Sequence, residues 1–300
     1  MTGEQDTAGG GREGARRAPR RIVRGQLVLL LGLALYVGVV RAVEALWSPD
    51  PQAVGWLPAL VIVLVPAAIW LIYFYLMDRY EPEPTHYVLS TFLLGALVAH
   101  PLARWVIHDL FTVESWIGLS PLSVEHIAGS FLVVGAAQEL IKYVVVRYTV
   151  YLSDEFDEPA DGIVYATATG IGFATALNFE LVSSGVLLTF SAINVTITTL
   201  AHACFSGVMG YALGQARFAA RGGQKIQIVG LLAAVALNGA FFLLQDLVVR
   251  PDIHLAPWRG LILSALFTAA VFGAISLLMR RSLRPGGPAR GPSQGAEEGQ

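Results

Sequence analysis

Eight runs of mostly apolar residues recur along this 300-residue chain, at 26–46, 56–77, 87–105, 127–148, 163–187, 192–213, 226–249 and 258–279. A helix of about 20 such residues spans the hydrocarbon core of a bilayer. In that medium the backbone must satisfy its own hydrogen bonds, so the expected fold is an all-α polytopic bundle of about eight transmembrane helices. Composition agrees, at 55% hydrophobic and 14% charged residues with a mean hydropathy of +0.60, values that no soluble domain of this size needs. Arg41 and Glu44 interrupt the end of the first run, and His100-Pro101 is expected to kink or end the third.

The short loops leave no room for a separate soluble module. Residues 1–24, rich in Gly, Arg and Ala, and 281–300, rich in Gly, Pro and Arg, read as disordered tails around a membrane domain at 25–280. The first run follows a basic stretch but has no small-residue cleavage site after it, which points to a retained anchor. With eight spans both termini share a side. Placing them in the cytoplasm puts 15 of the 20 basic residues there, the asymmetry expected of a multi-pass protein of the cell membrane. The basic residues are thus topological, and nothing points to nucleic acid. Cys204 is the only cysteine, so neither an intrachain disulfide nor a thiolate metal cluster can form.

Polar side chains near the middle of the apolar runs are the functional candidates, because such a group costs several kcal/mol unless it faces the bundle interior and finds partners. Gln138 and Glu139 lie in the fourth run, Asn178 and Glu180 in the fifth, His202 in the sixth and Asn238 in the seventh. Helical spacing lets Lys142 reach both Gln138 and Glu139. That pair is either an internal ion pair that fixes packing, or a carboxylate held ionised to ligate a metal or activate water. Asn178 suits interhelical adhesion. Glu180, further outward, is either reached by outside water or is a helix-end carboxylate at the interface. His202 and Glu139 at one depth form an imidazole–carboxylate mix that zinc accepts, although catalytic zinc takes three protein ligands. Asn238 sits where a third nitrogen ligand would be convenient, but an amide binds zinc poorly.

Four segments, in order and spacing, carry a family resemblance. They are Asp78-Arg79-Tyr80-Glu81-Pro82-Glu83-Pro84, Gln138-Glu139-Leu140-Ile141-Lys142, Asp161-Gly162-Ile163-Val164-Tyr165 through Gly172-Phe173-Ala174, and His202 through Gly210-Tyr211-Ala212-Leu213-Gly214. Together they resemble the PrsW family of polytopic intramembrane metalloproteases, which begin site-one cleavage of membrane-bound anti-sigma factors. The resemblance implies Glu139 as activator of a zinc-bound water, His202 and Glu180 as metal ligands, and Asn178 or Lys142 stabilising the oxyanion. Gln138 stands where the family has a first glutamate, Leu177 where it has the acid of a Glu-Asn pair, and Asn238 where it usually has histidine. These exchanges remove ligand charge and a candidate base, so weak metal binding and low proteolysis are expected. A pseudoprotease that binds a single-pass client is the rival reading. A transporter is the weaker one, since no inverted repeat is visible.

Overall fold

The computed structural model describes residues 8–47, 55–77, 82–117, 123–185, 187–249 and 257–282. Among these, eight long helices follow one another: α1 Ala8–Trp47, α2 Trp56–Met77, α3 Thr85–Leu110, α4 Val124–Thr149, α5 Asp161–Ser183, α6 Leu188–Arg217, α7 Gly223–Val249 and α8 Pro257–Ser282. Seven of them are long and apolar enough to cross a membrane, and α8 contributes a shorter apolar stretch, Ile262–Leu278. The protein is an all-α polytopic membrane bundle. Helix α1 begins at Ala8, inside the stretch read as a disordered tail, where Ala and Arg are good helix formers. Residues 283–300, most of the expected C-terminal tail, lie outside the described residues.

Side-chain size decides which helix becomes central. Helix α5 is built largely of Gly, Ala, Thr and β-branched residues, and nearly all of it from Asp161 through Thr175 is buried. Its widest contact is with α6, and α2, α3 and α4 also pack on it. Without a hydrophobic drive between helices in lipid, close backbone approach supplies the attraction, and small residues permit it. A methyl group added at Gly162 would strike the Gly210 carbonyl, and one at Gly172 the Phe92 carbonyl. Gly170 faces the His202 carbonyl in the same way, at 2.5 Å from an added Cβ. The outer helices instead turn large apolar residues outward, among them Leu31 and Leu35 on α1 and Val229 and Leu232 on α7.

The third span does not end at Pro101. It runs on to Leu110, with π-helical turns at Gly95–Ala99 and Trp105–Leu110 on either side of the proline. Widening the helix around Pro101 accommodates the missing N–H without breaking the rod. Gly95 within the first of these turns abuts the Thr169 carbonyl of α5. A third π-helical stretch, Gly129–Gly135, leads directly into the Gln138-Glu139 turn of α4.

Candidate functional site

Helix α4 presents Gln138, Glu139 and Lys142 on one face, and all three are buried, with Glu139 and Lys142 wholly inaccessible. Lys142 Nζ lies 2.5 Å from Glu139 Oε1. The same ammonium is 3.3 Å from His202 Nδ1 of α6. Because an ammonium only donates, that contact is a hydrogen bond when Nδ1 bears no proton, which leaves the imidazole proton on Nε2. From α7, the Asn238 amide donates to Glu139 Oε1 at 2.7 Å and to Gln138 Oε1 at 3.0 Å. Three helices therefore deliver five side chains to one point, and the backbones meet closely around it: an added Cβ at Gly135 would lie 2.7 Å from the Val235 carbonyl.

Phe173 of α5 forms the apolar wall. Its ring is 4.9 Å from Lys142 Nζ and 5.2 Å from the His202 ring, with Phe205 and Phe241 on other sides of the imidazole. A dry aromatic wall of this kind strengthens every polar contact it encloses. Glu139 Oε2 is buried and has no hydrogen-bond partner among the described residues. One carboxylate oxygen is thus saturated by cation and amide, while the other remains available as an acceptor.

The remaining candidates fall elsewhere. Asn178 is buried one layer further along α5, where its amide donates to Thr199 Oγ1 at 3.1 Å rather than to Glu139. Glu180 is half-exposed and pairs with Arg104 at 3.3 Å and His100 at 3.8 Å, both from α3. It stands outside the Glu139–His202 centre because three residues beyond Leu177 is one turn outward and about 60° around the helix. Leu177 itself packs against the apolar cluster that contains Phe173. So the position of the missing acid borders the site.

Sequence reasoning missed His100. It is buried, and its ring lies 5.3 Å from Phe173, so one phenyl ring touches both histidines. The adjacent Pro101 had marked that turn as a helix end. It also gave no role to Glu83, Asp161 and Tyr165, although all three belong to the recognised segments. The Tyr165 hydroxyl donates to the Glu83 carboxylate, which is also hydrogen-bonded to Asp161. Asp161 in turn accepts from the Glu158 backbone N–H at 2.6 Å. Burial pushes the Glu83 carboxyl above the ordinary range, and the charges of Asp157 and Glu155 push the same way.

The donor set decides what the centre can hold. Catalytic zinc requires three ligands of imidazole, carboxylate or thiolate type and an open position. Among the described residues no group of three His, Cys, Asp or Glu side chains comes together. The centre offers one carboxylate, one imidazole and two amides, with the Lys142 ammonium bonded to the first two of these. This set does not fit a zinc ion.

Residues 83–274 match the family described as PrsW family intramembrane metalloprotease. The chain is 34% identical to Protease PrsW of Geobacillus kaustophilus over 209 residues, 69% of this chain and 87% of that protein. It is 32% identical to Protease PrsW of Bacillus subtilis over 180 residues, 59% of this chain and 78% of that one. Against Protease PrsW of Clostridioides difficile the identity is 25% over 186 residues, 60% and 76% of the two chains. No solved structure matches the chain. The matched region contains the whole of the Glu139–Lys142–His202–Asn238 centre, and on these matches the chain belongs to the PrsW family of intramembrane metalloproteases.

Proposed function

We propose that this protein is a client-binding member of its family in which hydrolysis is low or absent and the Lys142 ammonium takes the place of a metal ion. The observation that carries the reading is that ammonium, 2.5 Å from Glu139 and 3.3 Å from His202. An ammonium between the two strongest potential ligands neutralises the carboxylate and uses the imidazole lone pair, which are the two things a metal would need. Gln138, Leu177 and Asn238 then replace ionisable groups with neutral ones, so among the described residues no second carboxylate joins Glu139 at the centre to serve as base. The client class is a single-pass membrane protein, of which the anti-sigma factor is the form the family resemblance implies. The protein resides in the cell membrane with both termini cytoplasmic, following the distribution of basic residues.

Metal content of detergent-purified wild-type protein, measured beside His202→Ala, tests the reading. Substoichiometric metal in both, with stable capture of a single-pass client, is the expected result. Stoichiometric zinc lost in His202→Ala, or chelator-sensitive cleavage of a membrane client abolished by Glu139→Ala, overturns it in favour of an active metalloprotease.

A further inference from the structure

Beyond the central cluster, unpaired polar atoms concentrate on one side of it. On α6, Ser191, Asn194 and Thr198 precede His202 at spacings of 3, 4 and 4 residues, which keeps all four on one face of the helix. Ser191 is 0% exposed, Asn194 5% and Thr198 5%. Ser191 Oγ, Asn194 Oδ1 and Thr198 Oγ1 have no hydrogen-bond partner among the described residues. On the neighbouring α7, Gln245 follows Asn238 by seven residues and so shares its face, and its Nε2 is also buried and unpaired. Helices α6 and α7 run in opposite directions. Residues before His202 and residues after Asn238 therefore lie toward the same membrane surface, the one from which α6 starts. In the other direction Ser206 is the only unpaired side chain on α6, and α7 has none, among the described residues.

The orphan atoms are not an unavoidable feature of such helices. Thr149, Thr175 and Thr196 each turn the hydroxyl back to the carbonyl four residues earlier, at 2.6, 2.8 and 2.8 Å. Thr198 has the same option and does not take it. An unsatisfied buried group costs about 1–3 kcal/mol, so four of them on one side of a polar centre call for a partner, and none of the described side chains supplies it. Water is the partner that fits, since it needs only a narrow space and two to four polar neighbours.

We propose that α6 and α7 enclose a hydrated passage from the membrane surface where α6 begins down to the Glu139–Lys142–His202 centre, with Ser191, Asn194, Thr198 and Gln245 as its polar lining. The passage gives water and small hydrophilic solutes access to the buried centre from that one side. It stands whether or not the protein hydrolyses anything, because its test reads accessibility rather than turnover.

The test uses full-length protein in right-side-out and inside-out proteoliposomes, with Cys204→Ala as background. Ser191→Cys, Asn194→Cys and Thr198→Cys are compared with Ile193→Cys and Leu200→Cys, which lie near the same depths on the opposite face of α6. The probe is a charged, membrane-impermeant methanethiosulfonate. Thiolate is the reacting form and its fraction falls about tenfold for each unit that dry surroundings raise the thiol pKa. The lining positions should therefore react at least about tenfold faster than the opposite face, and only from the α6 start side. Ser191→Cys, the smallest change, keeps the test available if another variant misfolds. Equal rates on the two faces, or faster reaction from the other membrane side, overturn the proposal.

Discussion

Removing the Lys142 ammonium while keeping its aliphatic bulk, as in Lys142→Met, isolates the interaction on which the whole centre turns. Glu139 and Lys142 are both fully buried, and their contact is 2.5 Å. The variant leaves the carboxylate with only the Asn238 amide still donating to it, beside the Phe173 ring that faced the ammonium. Breaking a buried ion pair from one side costs about 3–5 kcal/mol, because the remaining charge is uncompensated. Protonating Glu139 limits that loss without cancelling it. The double variant Lys142→Met, Glu139→Gln removes both charges while the new amide oxygen can still accept from Asn238. It should recover most of the loss, so the two single losses exceed the double one by a coupling of at least about 2–3 kcal/mol in the cycle. Reversible unfolding in mixed detergent micelles, read by tryptophan fluorescence, gives all four corners. A single-variant loss below about 1 kcal/mol, or simple additivity, would show that the pair does not organise the centre and that its neutralisation argument fails.

Four further outcomes follow from the geometry. Restoring the family pattern with Gln138→Glu, Leu177→Glu and Asn238→His should raise zinc affinity measured by competition titration, because position 177 packs against the cluster that contains the site's Phe173; unchanged affinity counts against the donor-set reasoning. Glu83 has a raised carboxyl pKa in the folded state, so folding favours its protonated form. Its stabilisation is complete below the ordinary carboxylate range and is lost as pH rises through the raised value. Glu83→Gln should flatten that part of the stability–pH curve. Gly172→Ala, whose added methyl meets the Phe92 carbonyl, should cost about 1–3 kcal/mol in the same unfolding assay. Ser153→Cys in a cysteine-free background should resist an impermeant reagent applied from outside intact cells, and prompt labelling there would reverse the topology.

What the sequence disclosed and what it withheld divide along a physical line. Bilayer thickness and backbone satisfaction act on each segment separately, so the apolar runs alone announced the spans and the all-helical class. The cost of burying Glu139, Lys142, His202 and Asn238 is likewise local, and it singled them out before any neighbour was known. Their partners depend on rotation and tilt of whole helices. Glu180, expected as a metal ligand, sits one turn beyond Leu177 and pairs with Arg104 and His100 instead. His100 was hidden behind Pro101, because a proline normally stops a helix and here is bracketed by π-turns instead. Only the structure shows the backbone carbonyls of His202 and Phe92 that Gly170 and Gly172 meet.

Those carbonyl contacts have a mechanical consequence. Wherever one helix rests on another through long side chains, rotamer changes can absorb a shift of an ångström or two. At three points between α5 and its neighbours there are no such cushions: Gly162 bears on Gly210, Gly170 on His202, and Gly172 on Phe92, main chain against main chain. Helices α3, α5 and α6 therefore move together as one stiff block, and any sliding within it would drive carbonyl into Cα. Compliance is left to the periphery. A lateral groove of about 600 Å³ opens there between α1, α2, α6 and α8, lined by Gly38, Leu200 and Ala265. Any motion that admits a large molecule must bend or displace the outer helices around that groove while the block that holds His202 stays fixed.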